Sequence, residues 1–196
     1  MTKHGSLSTI QKQEDKVRNG THLHHHFRKK ARMSNSKIKS MFICYFDCQG
    51  IVHTEFLPQG QTVNQFYLCE ILERPRKRVV YVRPSIANNW MLHYDNAPCR
   101  MAISVIECLA KKEIPVVPQP PYSPDLSPCN FFLFLKLKFH LKGRHFGMVE
   151  NIQKAVTDQL KAIPVSDYQR CYKEWERLRR CVASQGNYFE GDKLDL

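Results

Sequence analysis

Two polar positions, Asp95 and Asn130, are the residues of this chain whose types and spacing suggest chemistry, with 34 residues between them. Two carboxylates placed this way, one ending a strand and one opening a later helix, could share a pair of divalent metal ions. Such a pair activates water or a 3′-hydroxyl for phosphodiester cleavage or strand transfer. Mg²⁺ prefers anionic oxygen ligands, and the amide of Asn130 offers only a neutral oxygen. The pattern therefore predicts a two-metal site that is weakened at its second position.

The surrounding segments predict how these two residues are positioned. Residues 90–95 read as a buried strand ending in the carboxylate, residues 101–112 as a helix and residues 114–117 as a second strand. Strand, helix and strand in this order favour parallel pairing of the two strands. Ser127 is predicted to cap the next helix, which places Asn130 in its first turn.

The remaining segments predict an α/β domain. Residues 42–57 are typical of a β-hairpin, and Thr62 is predicted to cap a helix that Pro75 interrupts. Two further helices are predicted at residues 149–162 and 166–184. The aromatic stripe on the last helix indicates core packing.

Composition excludes several classes of protein. No apolar run approaches the ~20 residues that cross a bilayer, and the start of the chain lacks a secretory signal pattern. None of the eight cysteines forms a CxxC pair, which favours reduced thiols in an intracellular protein over zinc ribbons or disulfides. Residues 1–27, including a cluster of histidines, are polar and aperiodic, and are predicted to be a disordered tail.

The net charge of +12 is concentrated in two blocks, residues 28–39 and 74–83, neither of which contains an acid. Blocks of this kind attract polyanions without reading sequence, although they also serve as solvated faces or nuclear-import signals. The predicted DNA-binding residues are Arg28, Lys29, Lys30, Arg32, Lys37, Lys39, Arg74, Arg76, Lys77 and Arg78.

The sequence motifs around Asp95 and Asn130 identify a protein family more specifically than the spacing of these two residues does. His93-Tyr94-Asp95-Asn96-Ala97-Pro98, followed by a Pro/Ser-rich run that leads into Asn130, closely resembles the mariner-type transposases of the Tc1/mariner superfamily. The resemblance covers roughly residues 28–192. The segments that carry it are 29–34, 50–53, 58–64, 93–98, 120–134, 141–146 and 186–192.

The resemblance implies an RNase H-like mixed sheet flanked by helices and a triad of aspartates that binds Mg²⁺ or Mn²⁺. Asp95 matches the second aspartate and is the one predicted metal ligand, whereas Asn130 stands in the third position. No segment matches the first core strand, which carries the first aspartate. Residues 28–192 are therefore predicted to be a truncated catalytic domain that lacks this strand. Asp47 is predicted to be a turn residue rather than a substitute, and Arg100 stands where the family usually has histidine.

Three functions stay open on this basis. The first is a catalytically inactive transposase remnant that keeps non-specific binding to duplex DNA. The second is a weak metal-dependent endonuclease that uses Asp95 and Asn130, with Asp47 as an open further ligand, and the third is a domesticated DNA-binding or dimerisation module. We expect a nuclear protein without a membrane segment and without a tightly bound metal ion, and a homodimer remains an open alternative.

Overall fold

The fold is built on a mixed sheet with the strand order β3-β2-β1-β4-β5. The computed structural model describes residues 5–9, 40–144 and 146–184. The strands in this part of the chain are β1 (Gly5–Thr9), β2 (Phe42–Asp47), β3 (Gly50–Phe56), β4 (Trp90–His93) and β5 (Val116–Val117). β1, β4 and β5 are parallel, whereas β2 runs antiparallel to both of its neighbours. The predicted α/β class with a mixed sheet is confirmed.

Helices flank this sheet. They are α1 (Gln65–Ile71), α2 (Glu73–Val82), α3 (Ile103–Lys111), α4 (Leu135–Leu141), α5 (Val149–Ala162) and α6 (Val165–Ala183). A π-helical segment, Cys129–Phe134, leads directly into α4. Among the described residues, no helix is both long and apolar enough to cross a bilayer.

The centre of the sheet corrects the prediction of a missing first strand. β1 lies between β2 and β4, and Ser8 stands opposite both Phe46 and His93. The strand lies within the segment predicted to be a disordered tail, whose other residues lie outside the described part of the chain. It could not be predicted because Gly5–Thr9 is mostly small and polar, with a single apolar residue. Backbone pairing on both edges, rather than a hydrophobic pattern, places it in the sheet.

The predicted hairpin and the predicted parallel unit are both present. β2 is buried along its whole length, and Gly50 has a φ of 122° in the turn that follows it, a backbone angle that favours glycine. β4, α3 and β5 form the strand–helix–strand unit, with Leu92 opposite Val116. This unit brings the carboxyl ends of β4 and β5 to the same edge of the sheet.

The helix pair α1–α2 differs from the prediction in its cap. The side chain of Asn64, not Thr62, caps α1 by accepting a hydrogen bond from the backbone N–H of Tyr67 at 2.9 Å. The helix breaks at Leu72, and Pro75 lies in the first turn of α2. A proline in the first turn of a helix removes no intrahelical hydrogen bond. The single helix that was predicted to be interrupted at Pro75 is therefore two helices, and Pro75 lies near the start of the second.

An aromatic cluster joins the sheet to the segment that carries Asn130. Phe46 of β2 and Phe132 of the π-helical segment both pack on Tyr168 of α6, with ring centroids 5.8 and 5.4 Å away. Tyr172 donates a hydrogen bond from its hydroxyl to the carbonyl of Phe46 at 2.9 Å. The aromatic stripe of the last helix is therefore core, as predicted.

Candidate active site

Asp95 lies two residues beyond the end of β4, at the edge where the parallel strands finish. Its Oδ1 accepts a hydrogen bond from the backbone N–H of Ala97 at 3.0 Å, which closes a short turn. The same oxygen accepts a hydrogen bond from Nη1 of Arg100 at 2.5 Å. The backbone N–H of Arg100 donates to the carbonyl of Ala97 at 2.8 Å, so the local turn itself carries the guanidinium back to the carboxylate.

Arg100 is buried, with 6% of its surface exposed. Together with Tyr94 and Val105 it lines an internal cavity of about 10 Å³ between the sheet and α3. A guanidinium stays charged at any pH that a folded protein meets. The Asp95 carboxylate, whose side chain is 23% exposed, therefore has a fixed cation of its own.

Asn130 lies in the wide turns of the π-helical segment, a type of turn that occurs frequently at functional sites. Its backbone N–H donates to the carbonyl of Ser127 at 2.9 Å, and its Nδ2 donates to the carbonyl of Pro124 at 3.2 Å. No side-chain hydrogen bond caps this segment and its N-cap residue is Pro128, so the prediction that Ser127 caps the helix is wrong. The amide nitrogen of Asn130 is thus used to hold the preceding loop, which a carboxylate could not do.

Gln119 ties this loop to the strand that carries Asp95. Its Oε1 accepts a hydrogen bond from Nε2 of His93 at 2.7 Å, and its backbone carbonyl accepts one from Nδ2 of Asn96 at 2.8 Å. The Nε2 of Gln119 donates to the carbonyl of Ser123. The Pro/Ser-rich loop is therefore fixed against the end of β4.

The pKa of Cys129, the residue immediately before Asn130, is shifted by several neighbouring groups. Burial is the main cause that raises the pKa of the Cys129 thiol well above its usual value. Cys44 also raises this pKa, Arg100 lowers it, and Asp95 raises it by a smaller amount. The charges of Asp95 and Arg100 therefore shift the pKa of the residue immediately before Asn130. Hydrogen bonds of Gln119 and Asn96 hold the loop before Asn130 against the end of β4, and Nδ2 of Asn130 donates to the same loop.

The residues at this edge do not fit a pair of divalent ions. Among residues 5–9, 40–144 and 146–184, no group of three or more His, Cys, Asp or Glu side chains could hold a metal. β1 runs beside β4 toward this edge, but Gly5–Thr9 contains no carboxylate that could act as the first aspartate. Among the described residues, Asp95 is the one carboxylate at a triad position, and it is paired with Arg100.

Asp47 has a structural role, in agreement with the prediction. It is 2% exposed, ends β2, and accepts a hydrogen bond from the backbone N–H of Gln49 at 2.8 Å. Its two carboxylate oxygens accept hydrogen bonds from Arg83 at 2.7 and 3.2 Å. Both oxygens are therefore used within the fold.

The predicted DNA-binding residues divide into two groups. Those in the block 28–39 lie outside the described residues. Those in the block 74–83 lie on the surface of α2, where glutamates from β3, α1 and α2 itself reach three of the four cations. The ion pairs are Arg74–Glu55, Arg74–Glu70, Arg76–Glu73 and Lys77–Glu73. The fourth cation, Arg78, lies over the ring of Tyr81 with 5.4 Å to its centroid. The block 74–83 contains no acid, but glutamates from outside the block pair with its cations in the folded chain.

Two features of the site were not predicted. The first is the ion pair between Asp95 and Arg100. Arg100 was noted only as a departure from the family, although its position five residues after Asp95 is close enough in sequence to suggest the pair. The second feature is the basic surface of α4. Its signal is the absence of any acid between Asp125 and Glu150.

Comparison with known proteins gives the same family from sequence and from structure. The family model described as Transposase (partial DDE domain) matches residues 12–88. The mariner Mos1 transposase of Drosophila mauritiana is 30% identical over 164 residues, which cover 82% of this chain and 48% of that protein. The human histone-lysine N-methyltransferase SETMAR is 25% identical, with 78% of this chain and 23% of that protein covered. The chain thus spans about half of the Mos1 protein and a quarter of SETMAR.

Solved structures extend this likeness to the fold. The Mos1 transposase catalytic domain, determined with raltegravir and Mn, has a TM-score of 0.68 and 31% identity, and 78% of each chain is covered. The mariner Mos1 paired-end complex with Mg has a TM-score of 0.73 and 28% identity, covering 95% of this chain and 56% of that chain. This chain belongs to the mariner-type transposases and has the RNase H-like fold of their catalytic domain.

Proposed function

We propose that this chain is a catalytically inactive mariner transposase domain that retains non-specific binding to DNA. The observation that carries the proposal is the ion pair between Asp95 and Arg100, which commits the one carboxylate of the triad positions to a cation of the protein itself. Asn130 in the third position and the absence of an acid in β1 support the same conclusion.

The electrostatics of the pair oppose a metal ion beside Asp95. Arg100 donates a hydrogen bond to Oδ1 of Asp95, so a divalent ion held by this carboxylate would be repelled by the positive charge of the guanidinium. The neutral amide of Asn130 does not bring the negative charge that offsets such repulsion. Mos1 structures contain Mn or Mg, which supports a divalent metal in the family, whereas the described residues of this chain include no group of three or more His, Cys, Asp or Glu side chains that could hold one.

Binding to DNA depends on charge and shape rather than on the metal site. The net charge of +12 is retained, and cations neutralise phosphates whether or not catalysis occurs. Mos1 is found in paired-end complexes whose fold matches 95% of this chain. A nuclear location is part of the same proposal, because duplex DNA is the proposed ligand.

A titration with Mn²⁺ tests the inactive site. We expect the wild-type chain and Asp95→Ala to bind Mn²⁺ equally weakly when free Mn²⁺ is followed by electron paramagnetic resonance. Asp125→Ala, which removes an exposed carboxylate near the same loop, is the matched control. Tight Mn²⁺ binding that disappears only in Asp95→Ala would contradict the proposal.

Fluorescence anisotropy with a labelled duplex tests the binding. We expect micromolar affinity at low salt, similar for unrelated sequences, with a steep linear fall of log affinity against log salt concentration. The most permissive condition is low salt, where the Debye length reaches about 30 Å at roughly 10 mM. Negligible affinity for DNA under this condition would show that the net charge does not make this chain a DNA-binding protein.

A further inference from the structure

The exposed face of α4 is a cationic surface without an acidic partner. No acid occurs between Asp125 and Glu150. Lys138, Lys142 and Arg144 are exposed, and within the described part of the chain no salt bridge or hydrogen bond of their side chains to an acid is formed. Their positive charge is therefore available to a ligand.

Large apolar side chains stand between these cations. Phe139 is 80% exposed and Leu135 is 62% exposed. Leu135, Lys138 and Phe139 follow the spacing i, i+3 and i+4, so they form one stripe along α4, and Lys142 follows at the C-cap of the helix. The opposite face is anchored in the core by Leu137 and Leu141, which are 0% and 4% exposed. The stripe thus faces solvent because the rest of the helix is fixed.

This surface differs from the basic block on α2. Three of the four cations on α2 are paired with Glu55, Glu70 or Glu73. On α4, Lys136 is the one lysine with an acidic partner among the described residues, Asp167. Local sequence cannot show this difference, because the acids that neutralise α2 come partly from other elements. Because these ion pairs occupy cations on α2, we expect a polyanion to contact α4 rather than α2.

We propose that the stripe on α4, together with Arg144, binds unpaired DNA, with Phe139 stacking on a base while the cations contact phosphates. The proposal rests on the DNA binding proposed above and assigns it to a surface. An exposed aromatic ring among cations suits unpaired bases, whose faces are open for stacking. In a duplex the bases are stacked on one another, so the ring of Phe139 would gain little there.

The position of the stripe agrees with this ligand. The π-helical segment that carries Asn130 continues without a break into α4. Lys138 is eight residues from Asn130, about 12 Å along a helix. A strand bound on α4 would therefore extend toward the edge of the sheet where Asp95 lies, although no catalysis there is required for binding.

Anisotropy titrations with a labelled oligothymidine and with a hairpin duplex of equal charge test the proposal. We expect Phe139→Ala to lower affinity for oligothymidine roughly tenfold and to change affinity for the duplex less than twofold. Phe139→Trp should restore binding to oligothymidine, whereas Phe139→Leu should not, because only an aromatic ring stacks. Because Phe139 is exposed, these variants are expected to fold, which thermal melts followed by circular dichroism will verify.

Charge reversal provides the second arm. Lys138→Glu with Lys142→Glu should lower affinity for both oligonucleotides at least tenfold and reduce the salt slope. The matched control, Arg76→Glu with Lys77→Glu, makes the same change of charge on α2 and should lower affinity less.

The outcomes separate this inference from the proposed function. If wild-type protein binds the duplex but Phe139→Ala binds oligothymidine normally, or if the α2 control loses as much affinity as the α4 variant, the assignment to α4 is wrong. If wild-type protein binds neither oligonucleotide at low salt, DNA binding itself is wrong.

Discussion

Replacement of Asp95 by alanine should destabilise this chain, in contrast to the expectation for a working metal site. The change removes the hydrogen bond from Arg100, of about 1.5–3 kcal/mol for a charged pair, and the bond from the backbone N–H of Ala97, of about 1 kcal/mol. Solvent screens part of this, because the Asp95 side chain is 23% exposed. We expect a loss of about 2–3 kcal/mol, or roughly 8 °C in melting temperature for a chain of this size.

Urea unfolding followed by circular dichroism measures this loss. Asp95→Ala should shift the midpoint to lower urea concentration without changing the slope, since the same surface is exposed on unfolding. Asp125→Ala is the matched control, because Asp125 is an exposed carboxylate without an ion pair in the described structure. Its effect should stay within about 0.5 kcal/mol.

A neutral or stabilising effect of Asp95→Ala would refute this reasoning. Catalytic carboxylates that are gathered around an empty metal site repel one another, and their removal often stabilises an enzyme. The sign of the change therefore distinguishes a carboxylate that serves the fold from one that is held ready for metal.

Three further predictions concern stability, each checked by urea unfolding. Arg83→Ala leaves the buried carboxylate of Asp47 without its ion pair and should cost about 3 kcal/mol. Pro75→Ala should change stability by less than about 1 kcal/mol, because the first turn of α2 tolerates proline. Burial, with a smaller contribution from Arg179, lowers the pKa of His93. The unfolded chain therefore binds this proton more readily, so stability should be complete above pH of about 6.5 and should fall as the pH drops toward the folded pKa. His93→Gln should flatten that part of the profile, and an unchanged profile would contradict it.

Elements with a hydrophobic period could be predicted from the sequence. The hairpin formed by β2 and β3, the β4–α3–β5 unit and the helices α5 and α6 all lie close to their predicted ranges. Each has enough apolar residues to show which face is buried. The motifs around Asp95 and Asn130 were sufficient to identify the family, whereas the site at these two residues stays a prediction.

Features that depend on neighbours distant in sequence could not be predicted in this way. β1 is mostly polar and is placed by pairing with β2 and β4. Glu55 reaches Arg74 across 19 positions, which neutralises a block that contains no acid of its own. The ion pair of Asp95 with Arg100 is local, but a salt bridge depends on how the turn directs the side chain, and spacing alone does not supply that direction.

DNA cleavage shows whether the triad positions of this chain form a catalytic metal site. A labelled duplex with a pre-cut transposon end is incubated with the wild-type chain or Asp95→Ala in Mn²⁺, in Mg²⁺ and in chelator. We predict that the wild-type chain gives no more nicked or strand-transferred product than Asp95→Ala in any condition. Product that requires the divalent metal and is lost in Asp95→Ala would contradict the account.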